Sequence, residues 1–588
     1  MAEKENERFV PTYAPSYKIL GNCLYETRSN KQGFYDRKLC NFLPWIVSEI
    51  TKDDGIEVTT YVRLRGIHES GRSLPEIEIP AMELSTFNWL PKHWGMHCNL
   101  EVGKSVKDCV RHAIQSTVDG AAHQNVYSIT GWRKIHGAWE YLMPGDDTRT
   151  VSLSHKLSGY HMNSQCVDAD LRVASAMMDR YIAPPEIQHT LLAMVFLSPL
   201  NEFLRQAGCM PKFVLFLVGK TGSRKSTLAA LMLSFFGRFT ASELPLSFRD
   251  TANSIIHNAF TLKDVLTCID DFYPGTTQEG RKLNEIAQNI MRAYGDRQGR
   301  GRLKADSTAM QSRPPQGCAI MTGEFPPEVA ESGTSRYFAV EIKRNDVDLY
   351  ELSAYQREAQ RGTLQNCMYG YIQWIKERFL CNEAAEKEFI AGLAKTHNKL
   401  RDGFLKDHPN VHGRVAEAVA CLEIGMRMYQ MFLLDRKIIF EEHSQRFYNS
   451  YQDMLYHLAE QQATSIVEDA PTHKFIRKLY ALIESNQCCL LPRNRINDFT
   501  PGTCIGYEDE TFLYLNCDLA HRAVKKLCED QGEAFTISCK SLLKQLAEED
   551  LIFTSAGQNT RSVRINGKSK RLLCLYREKA QLIADGVL

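Results

Sequence analysis

The chain has 588 residues, of which 44% are hydrophobic and 24% are charged. This composition is typical of a soluble globular protein with several domains, and it excludes a fibrous or low-complexity chain. The formal net charge is +1, so any surface that binds nucleic acid must be a local patch.

The 18 cysteines include no C-x-x-C pair, which indicates neither a zinc site nor a disulfide framework. We therefore expect a reduced, cytoplasmic protein without zinc. The first residues lack the apolar core of a signal peptide. The most apolar segment, residues 187–200, is too short to span a bilayer and contains His189, so we expect no membrane association.

Residues 1–160 predict an N-terminal mixed α/β domain. The stretch "IEVTTYVRLRG" alternates apolar and polar residues as a half-buried strand does. Gly66 and Gly71 fit a connection to the next predicted strand, "LPEIEIP". A further pair of strands surrounds a turn at His136-Gly137. No residue of this segment belongs to a catalytic pattern.

Three further segments follow in the chain. Residues 161–345 form the second predicted segment, in which the prolines at 184–185 predict a helix start. Within it, residues 212–345 alternate apolar runs with helical patterns, which predicts a parallel sheet. Residues 346–469 have the pattern of long helices. Residues 470–588 predict a winged helix, with two amphipathic helices and a hairpin around Asn566-Gly567.

The stretch "FLVGKTGSRKSTLAALM", residues 216–232, predicts a phosphate-binding loop between a strand and a helix that ends at Gly237. Lys225 would contact the β- and γ-phosphates, and the Ser226 hydroxyl would bind Mg²⁺. Arg224 stands where the motif has its second glycine. The alternative is a chance match of a loose pattern. The residues expected around the nucleotide are Gly219, Thr221, Gly222, Ser223, Arg224, Lys225, Ser226 and Thr227.

Two acids end the apolar run "DVLTCIDDFYP". Asp270 would hold Mg²⁺ through water, and Asp271 would orient or deprotonate the attacking water. A buried strand that ends at two solvated aspartates is the alternative.

Polar residues also follow the next strand, "GCAIMTGEFPP". Thr322 or Glu324 would sense the γ-phosphate there, although a strand followed by a Pro-Pro turn explains the same pattern. Arg336 precedes an alternating strand, where an arginine finger would complete the compensation of charge in the transition state. A surface arginine at a strand edge is the alternative.

Two basic segments are candidates for DNA contact. The first, residues 292–307, lies between the acids and the third strand and would track a DNA backbone through Arg297, Arg300, Arg302 and Lys304. A solvated loop has the same composition. The second is the wing of the predicted winged helix, which would contact DNA phosphates or another protein through Arg564, Lys568, Lys570 and Arg571.

Several motifs together resemble those of a bacterial family of MCM-like (Cch-type) helicases of mobile cassettes, which contain a domain of unknown function. These motifs are "YVRLRG", "GWRKIHGAWEYL", "FRDTANSIIHNAF", "CIDDFYP" and "HGRVAEAVACLEIGMRMY", and the likeness covers roughly residues 15–450. The resemblance implies an AAA+ P-loop ATPase core with a helical lid, between an N-terminal α/β domain and a winged helix. It also implies ATP and Mg²⁺ as cofactors and a hexamer that moves along single-stranded DNA.

The resemblance assigns roles to individual residues as well. It implies that Arg336 acts on the neighbouring subunit's nucleotide, that Arg414 is a lid residue reaching the nucleotide, and that residues 297–304 form a pore hairpin. Asp271 stands where MCM proteins carry Glu. Because Asp is one methylene shorter, this difference affects the expected rate of turnover more than the expected activity.

We therefore expect a DNA helicase or replication-initiation motor of a mobile element, acting on single-stranded or forked DNA. Two other functions remain open from the sequence. One is an AAA+ ATPase that remodels protein or serves phage defence without unwinding DNA. The other is a nucleotide-gated DNA-binding protein whose hydrolysis is vestigial.

Overall fold

A computed structural model of the chain describes residues 11–145, 149–273, 277–298, 311–327, 335–468, 470–493, 502–531, 535, 537–555, 558–565 and 567–586. The chain forms two compact units, Met1–Met162 and Asn163–Leu588. The boundaries predicted inside the second unit remain predictions.

The first unit is built mainly from antiparallel strands. Strands β1–β3 form one sheet, a second sheet has the order β10-β7-β4-β5-β6, and β8 pairs with β9 as a hairpin. The strands are β1 (Tyr17–Leu20), β2 (Cys23–Asn30), β3 (Gly33–Cys40), β4 (Phe42–Asp53), β5 (Val58–His68), β6 (Ser73–Pro80), β7 (Ala122–Tyr127), β8 (Gly131–Ile135), β9 (Ala138–Leu142) and β10 (Thr150–Val151). The helices are α1 (Trp89–His93) and α2 (Val106–Gln115), with 3-10 turns at Ala81–Ser85, Val118–Gly120 and His155–Leu157.

Strand β5 confirms the predicted alternation only in its second half. Val62 and Leu64 are buried, whereas Val58 is 63% exposed because the first residues of the strand extend past the core. The prediction for Gly66 was wrong, since it lies inside β5, where a Cβ would stand 2.8 Å from the ring of Trp94. The turn at His136-Gly137 is confirmed, with both residues at positive φ.

The second unit contains the predicted parallel sheet. Its order is β12-β13-β14-β11-β15, and every neighbouring pair is parallel. The strands are β11 (Val214–Val218), β12 (Leu246–Ser247), β13 (Leu266–Phe272), β14 (Cys318–Gly323) and β15 (Tyr337–Glu341). The helices before and between them are α3 (Asp168–Ser175), α4 (Pro185–Leu197), α5 (Asn201–Gln206), α6 (Lys225–Leu233), α7 (Ala252–Thr261) and α8 (Thr277–Asp296), with 3-10 turns at Ala176–Met178 and Ser198–Leu200.

Five long helices follow the sheet. They are α9 (Leu349–Arg361), α10 (Thr363–Phe379), α11 (Glu383–Asp407), α12 (Gly413–Asp435) and α13 (Glu441–Glu468). Helix α4 is mostly apolar, and every side chain from Ile187 to Leu197 is buried, as expected of a central core helix. Gly425 lets α12 approach α4 closely, because a Cβ there would lie 2.4 Å from the carbonyl oxygen of Ala193. None of the described helices has the length and apolarity needed to cross a membrane.

The C-terminal part of the second unit has one layer of helices on a five-stranded sheet. The sheet order is β16-β17-β18-β20-β19, with β16 (Cys488–Pro492), β17 (Thr503–Glu508), β18 (Phe512–Leu515), β19 (Arg561–Ile565) and β20 (Lys568–Tyr576). The helices are α14 (Pro471–Glu484), α15 (Cys517–Asp530), α16 (Cys539–Glu548) and α17 (Arg577–Ala584). The two predicted amphipathic helices correspond to α15 and α16, and the predicted hairpin to β19 and β20.

Candidate functional site

The predicted phosphate loop lies at the carboxyl end of β11, between β14 and β15. Ligands of open parallel sheets bind at this edge, where the strand order changes direction. The loop leads into α6, whose first N–H groups have no partner within the helix. The helix is shorter than expected, since it ends at Leu233 rather than at Gly237. Just after this end, the Ser234 hydroxyl donates to the carbonyl oxygen of Ala230.

Arg224 takes over the backbone role of the missing glycine. Its φ of +66° and ψ of +21° lie in the left-handed region, where an L-residue is strained by about 1–2 kcal/mol. Gly222, two residues earlier, also has a positive φ of +89°. The Arg224 side chain is exposed. The loop therefore follows the glycine path, with an added cationic side chain on its surface.

This geometry predicts how substitutions of Arg224 affect nucleotide binding. Arg224→Val is expected to weaken binding by about 5- to 150-fold, because a β-branched residue at positive φ adds about 1–3 kcal/mol of strain. Arg224→Gly keeps the backbone path, so we expect an affinity close to that of the wild type. Titration of a fluorescent nucleotide measures both, with Arg224→Ala as the control for loss of the side chain. Equal affinities for the Val and Gly variants would contradict the backbone role.

Lys225 and Glu324 already interact with the loop. The Lys225 ammonium donates to the carbonyl oxygens of Gly219 and, at 3.3 Å, of Lys220, and its burial lowers its pKa. A Glu324 carboxylate oxygen accepts from the Thr221 N–H at 2.7 Å and from the Thr221 hydroxyl. These two hydrogen bonds hold the pKa of Glu324 below its ordinary value. The loop thus binds an anionic oxygen in this structure. That observation fits a phosphate ligand.

Ser226, Asp270 and Thr322 form a hydrogen-bonded group beside the loop. The Ser226 hydroxyl donates to Asp270 Oδ1 at 2.8 Å, and the Thr322 hydroxyl donates to the same oxygen at 2.6 Å. A hydroxyl and a carboxylate suit Mg²⁺, which keeps several waters and takes further ligands from substrate phosphates. Among the described residues, no group of three or more His, Cys, Asp or Glu side chains could hold a metal by itself.

Asp271 lies at a register shift between β13 and β14, with φ = +69°. Its N–H donates to the Thr322 hydroxyl at 3.1 Å, and its carboxylate lies 3.4 Å from Arg249. The Asp271 side chain is 53% exposed. Adjacent acids in the sequence therefore have different surroundings. Asp270 is held by hydroxyl groups, and Asp271 faces solvent.

Two predicted nucleotide contacts differ from expectation. Thr322 is 1% exposed, and its hydroxyl supports both acids, so it positions them and does not face a γ-phosphate. Ser223 is fully buried, with its hydroxyl turned inward, so only its backbone can line the loop. Thr227 lies in the first turn of α6. Sequence reasoning missed Arg344, which donates to the Thr221 carbonyl oxygen at 2.8 Å and carries no motif signal.

Arg336 and Arg414 lie together at the opposite edge of the sheet. The carbonyl oxygen of Arg336 accepts from the N–H of Val214, the first residue of β11, whereas the loop follows its last residue, about 13 Å further along the strand. Arg336 donates to both carboxylate oxygens of Asp296 at 3.1 and 3.2 Å, and Arg414 donates to one of them at 3.4 Å. The resemblance implied that Arg414 is a lid residue reaching the nucleotide, and in this structure its guanidinium instead contacts Asp296. Asp296 itself was not predicted.

Arg297 is not a DNA-contacting residue in this structure, contrary to expectation. Its guanidinium donates to the carbonyl oxygens of Pro211, Pro315 and Gly317 at 2.6–3.0 Å and lies over the ring of Tyr294. Burial lowers its pKa. The residue joins the end of α8 to the sheet. The other predicted contacts of this segment, Arg300, Arg302 and Lys304, lie outside the described residues.

The four predicted wing residues divide between the two faces of the β19–β20 hairpin. Pairing places Lys568 opposite Ile565 and Lys570 opposite Val563, on the face that carries the buried apolar residues of β19. Arg564 pairs with Ser569, and Arg571 pairs with Ser562, on the other face. All four side chains are exposed.

Comparison with solved structures found a protein of similar fold. The chain is similar in structure to SCCmec type IV Cch, described as an active helicase, with a TM-score of 0.56 and 13% identity, over 97% of this chain and 99% of that chain. At this identity the likeness shows a shared fold alone. Two further structures align too weakly to support an argument. One is a JCV helicase, with a TM-score of 0.20 and 16% identity over 43% of this chain and 70% of that chain. The other is the C-terminal region of NrS-1, with a TM-score of 0.24 and 10% identity over 81% of this chain and 91% of that chain. No family model and no curated protein sequence matches the chain.

Proposed function

We propose that the chain is an ATP-driven DNA helicase or replication-initiation motor of a mobile element. It works as a ring, a homo-hexamer, on single-stranded or forked DNA. The observation that carries the proposal is the division of charged groups between the two sheet edges. The loop and the acids occupy the carboxyl edge, and two arginines share Asp296 at the amino edge. The motif resemblance and the fold shared with Cch agree with this function.

Each residue at the carboxyl edge has a role in hydrolysis. Bound Mg²⁺ would neutralise charge on the β- and γ-phosphates. Lys225 would exchange its loop carbonyl partners for phosphate oxygens, and Glu324 would leave the Thr221 N–H to make room for them. Ser226 and Asp270 would hold the metal, and Asp271 would orient and deprotonate the attacking water.

The two arginines at the amino edge favour a ring. Neither reaches the loop of its own subunit across about 13 Å of strand, but a head-to-tail contact would bring them to the neighbour's loop. Arginine supplied from outside the site is a recurrent means of stabilising transition-state charge in phosphoryl transfer. Arg336 and Arg414 would then act as a pair in the neighbouring site.

DNA would be held by two separate basic segments. In the pore hairpin, Arg300, Arg302 and Lys304 would contact DNA, whereas Arg297 would not, because its guanidinium is bound to backbone carbonyls. The wing supplies Arg564, Lys568, Lys570 and Arg571 for phosphates.

ATPase assays with and without single-stranded DNA test the proposal. We expect DNA to raise the wild-type rate and Lys225→Ala to reduce it to background. Replacing Arg300, Arg302 and Lys304 with alanine should preserve basal hydrolysis, abolish stimulation, and lower the slope of log affinity against log salt by about 2, at about 0.7 per lost phosphate contact.

Other outcomes identify the other functions. Hydrolysis that ignores DNA would favour an ATPase that remodels protein or serves phage defence. ATP binding without hydrolysis would favour a nucleotide-gated DNA-binding protein.

A further inference from the structure

The C-terminal sheet has two different faces. Its inner face packs against α14–α17 in one hydrophobic cluster, to which the sheet contributes residues such as Leu513, Leu515 and Leu573. The outer face carries a second, smaller cluster drawn from the strands and from Phe553, which precedes β19. In the part of the chain that the structure describes, helices contribute only to the inner cluster.

Aromatic rings form the centre of this outer face. Cross-strand pairing puts Tyr507 opposite Tyr514, and Tyr514 opposite Cys574, while Phe512 pairs with Tyr576. A bulge between β16 and β17 turns Tyr507 to the same side as Tyr514. Tyr514 is buried, but Tyr507, Phe512 and Phe553 remain partly exposed.

Cations lie over these rings. Lys570 Nζ is 4.9 Å from the ring centre of Tyr507 and donates to its hydroxyl at 2.6 Å. The guanidinium of Arg561 lies 4.9 Å from Phe553. Lys568 extends the same face along β20. We call these residues together with the rings the aromatic–basic face.

One acid beside the face, Asp509, is paired with a cation and a hydroxyl. Asp509 accepts from Arg493 at 3.2 Å and from the Tyr514 hydroxyl at 2.6 Å. These bonds lower the pKa of Asp509, while burial and this hydrogen bond raise the pKa of Tyr514 to about 12. Lys568, Lys570 and Arg561 add positive charge to this face.

We propose that the aromatic–basic face binds single-stranded DNA, with bases stacked on Tyr507 and Phe512 and phosphates paired with Lys568, Lys570 and Arg561. Proteins that hold single strands combine cations along the backbone with aromatic side chains on which bases stack. Duplex DNA keeps its bases stacked inside, so the rings discriminate against it. The choice of DNA as the partner rests on the proposed function, but the site itself requires no hydrolysis.

Fluorescence anisotropy of the full chain with a thymidine oligomer of about 16 nucleotides, without nucleotide, tests the site. Tyr507→Leu with Phe512→Leu keeps the apolar bulk and removes the stacking surface. We expect affinity for the single strand to fall at least about fivefold, since stacking contributes about 1–3 kcal/mol per base. Affinity for a blunt duplex should stay unchanged.

Charge variants give an independent readout. Lys568→Gln with Lys570→Gln should lower the salt slope of single-strand binding by about 1.4, for two lost contacts at about 0.7 each. Lys525→Gln with Lys526→Gln removes the same charge from the exposed face of α15 and should leave the slope unchanged.

The proposal fails if the aromatic variant binds single strands like the wild type, or loses duplex affinity equally. Photocross-linking of the wild-type chain to an oligomer containing 5-iodo-deoxyuridine needs no substitution, and cross-links confined to peptides outside this face would also overturn the proposal. Single-strand binding at this face in a chain without DNA-stimulated ATPase would refute the motor and leave the site standing.

Discussion

Asp271→Asn is expected to lower the rate of ATP hydrolysis by about 10²–10⁴, the usual contribution of a general base, while ATP binding stays close to wild type. The amide cannot accept the proton of the attacking water. The backbone should be unaffected, because Asn tolerates the left-handed conformation that Asp271 adopts at φ = +69°. The N–H that donates to Thr322 is also kept.

Asp270→Asn provides the matched comparison. Its carboxylate accepts from the Ser226 and Thr322 hydroxyls, so the same change there should weaken Mg²⁺-dependent nucleotide binding as well as turnover. Nucleotide titration at several Mg²⁺ concentrations, beside single-turnover hydrolysis, separates the two effects. Loss of nucleotide affinity in Asp271→Asn would assign Asp271 to metal binding instead.

Sequence alone predicted the parts of the site that depend on local pattern. The loop between β11 and α6 and the acids at the end of β13 were both predicted from local patterns, and the structure has them at one sheet edge. The separate roles of Asp270 in metal binding and Asp271 in activating water stay predictions. The register shift between β13 and β14 at these acids has no sequence signal, because it depends on the partner strand.

Contacts between distant residues account for the wrong predictions. Composition alone placed Arg297 in a basic loop, yet its partners are backbone carbonyls contributed by segments on both sides of it in the chain. The pair formed by Arg336 and Arg414 depends on Asp296, 40 and 118 residues away. Similarly, only strand pairing shows that Lys570 and Arg571 face opposite sides of one hairpin.

Arg336→Ala is expected to lose about 10³–10⁵ in hydrolysis rate, the range for a missing arginine finger, and still to bind ATP. In this structure Arg336 is 11% exposed and holds Asp296, so its removal also breaks an ion pair. Arg336→Lys separates the two effects. Lysine keeps a positive charge beside Asp296 but lacks the planar fork, so it should preserve the fold without restoring the rate.

Mixing subunits tests whether the finger acts on a neighbour. Lys225→Ala subunits lack a working loop but keep Arg336, and Arg336→Ala subunits have the reverse defect. A mixed ring contains interfaces where an intact loop meets an intact finger, so hydrolysis should reappear and reach its maximum near equal proportions. The measurement is ATPase rate against mixing ratio, with subunit exchange followed by energy transfer between labelled chains. If exchange is complete and every mixture stays inactive, Arg336 acts within its own subunit or the finger is another arginine. Arg414, which shares Asp296 with it, is then the first to replace.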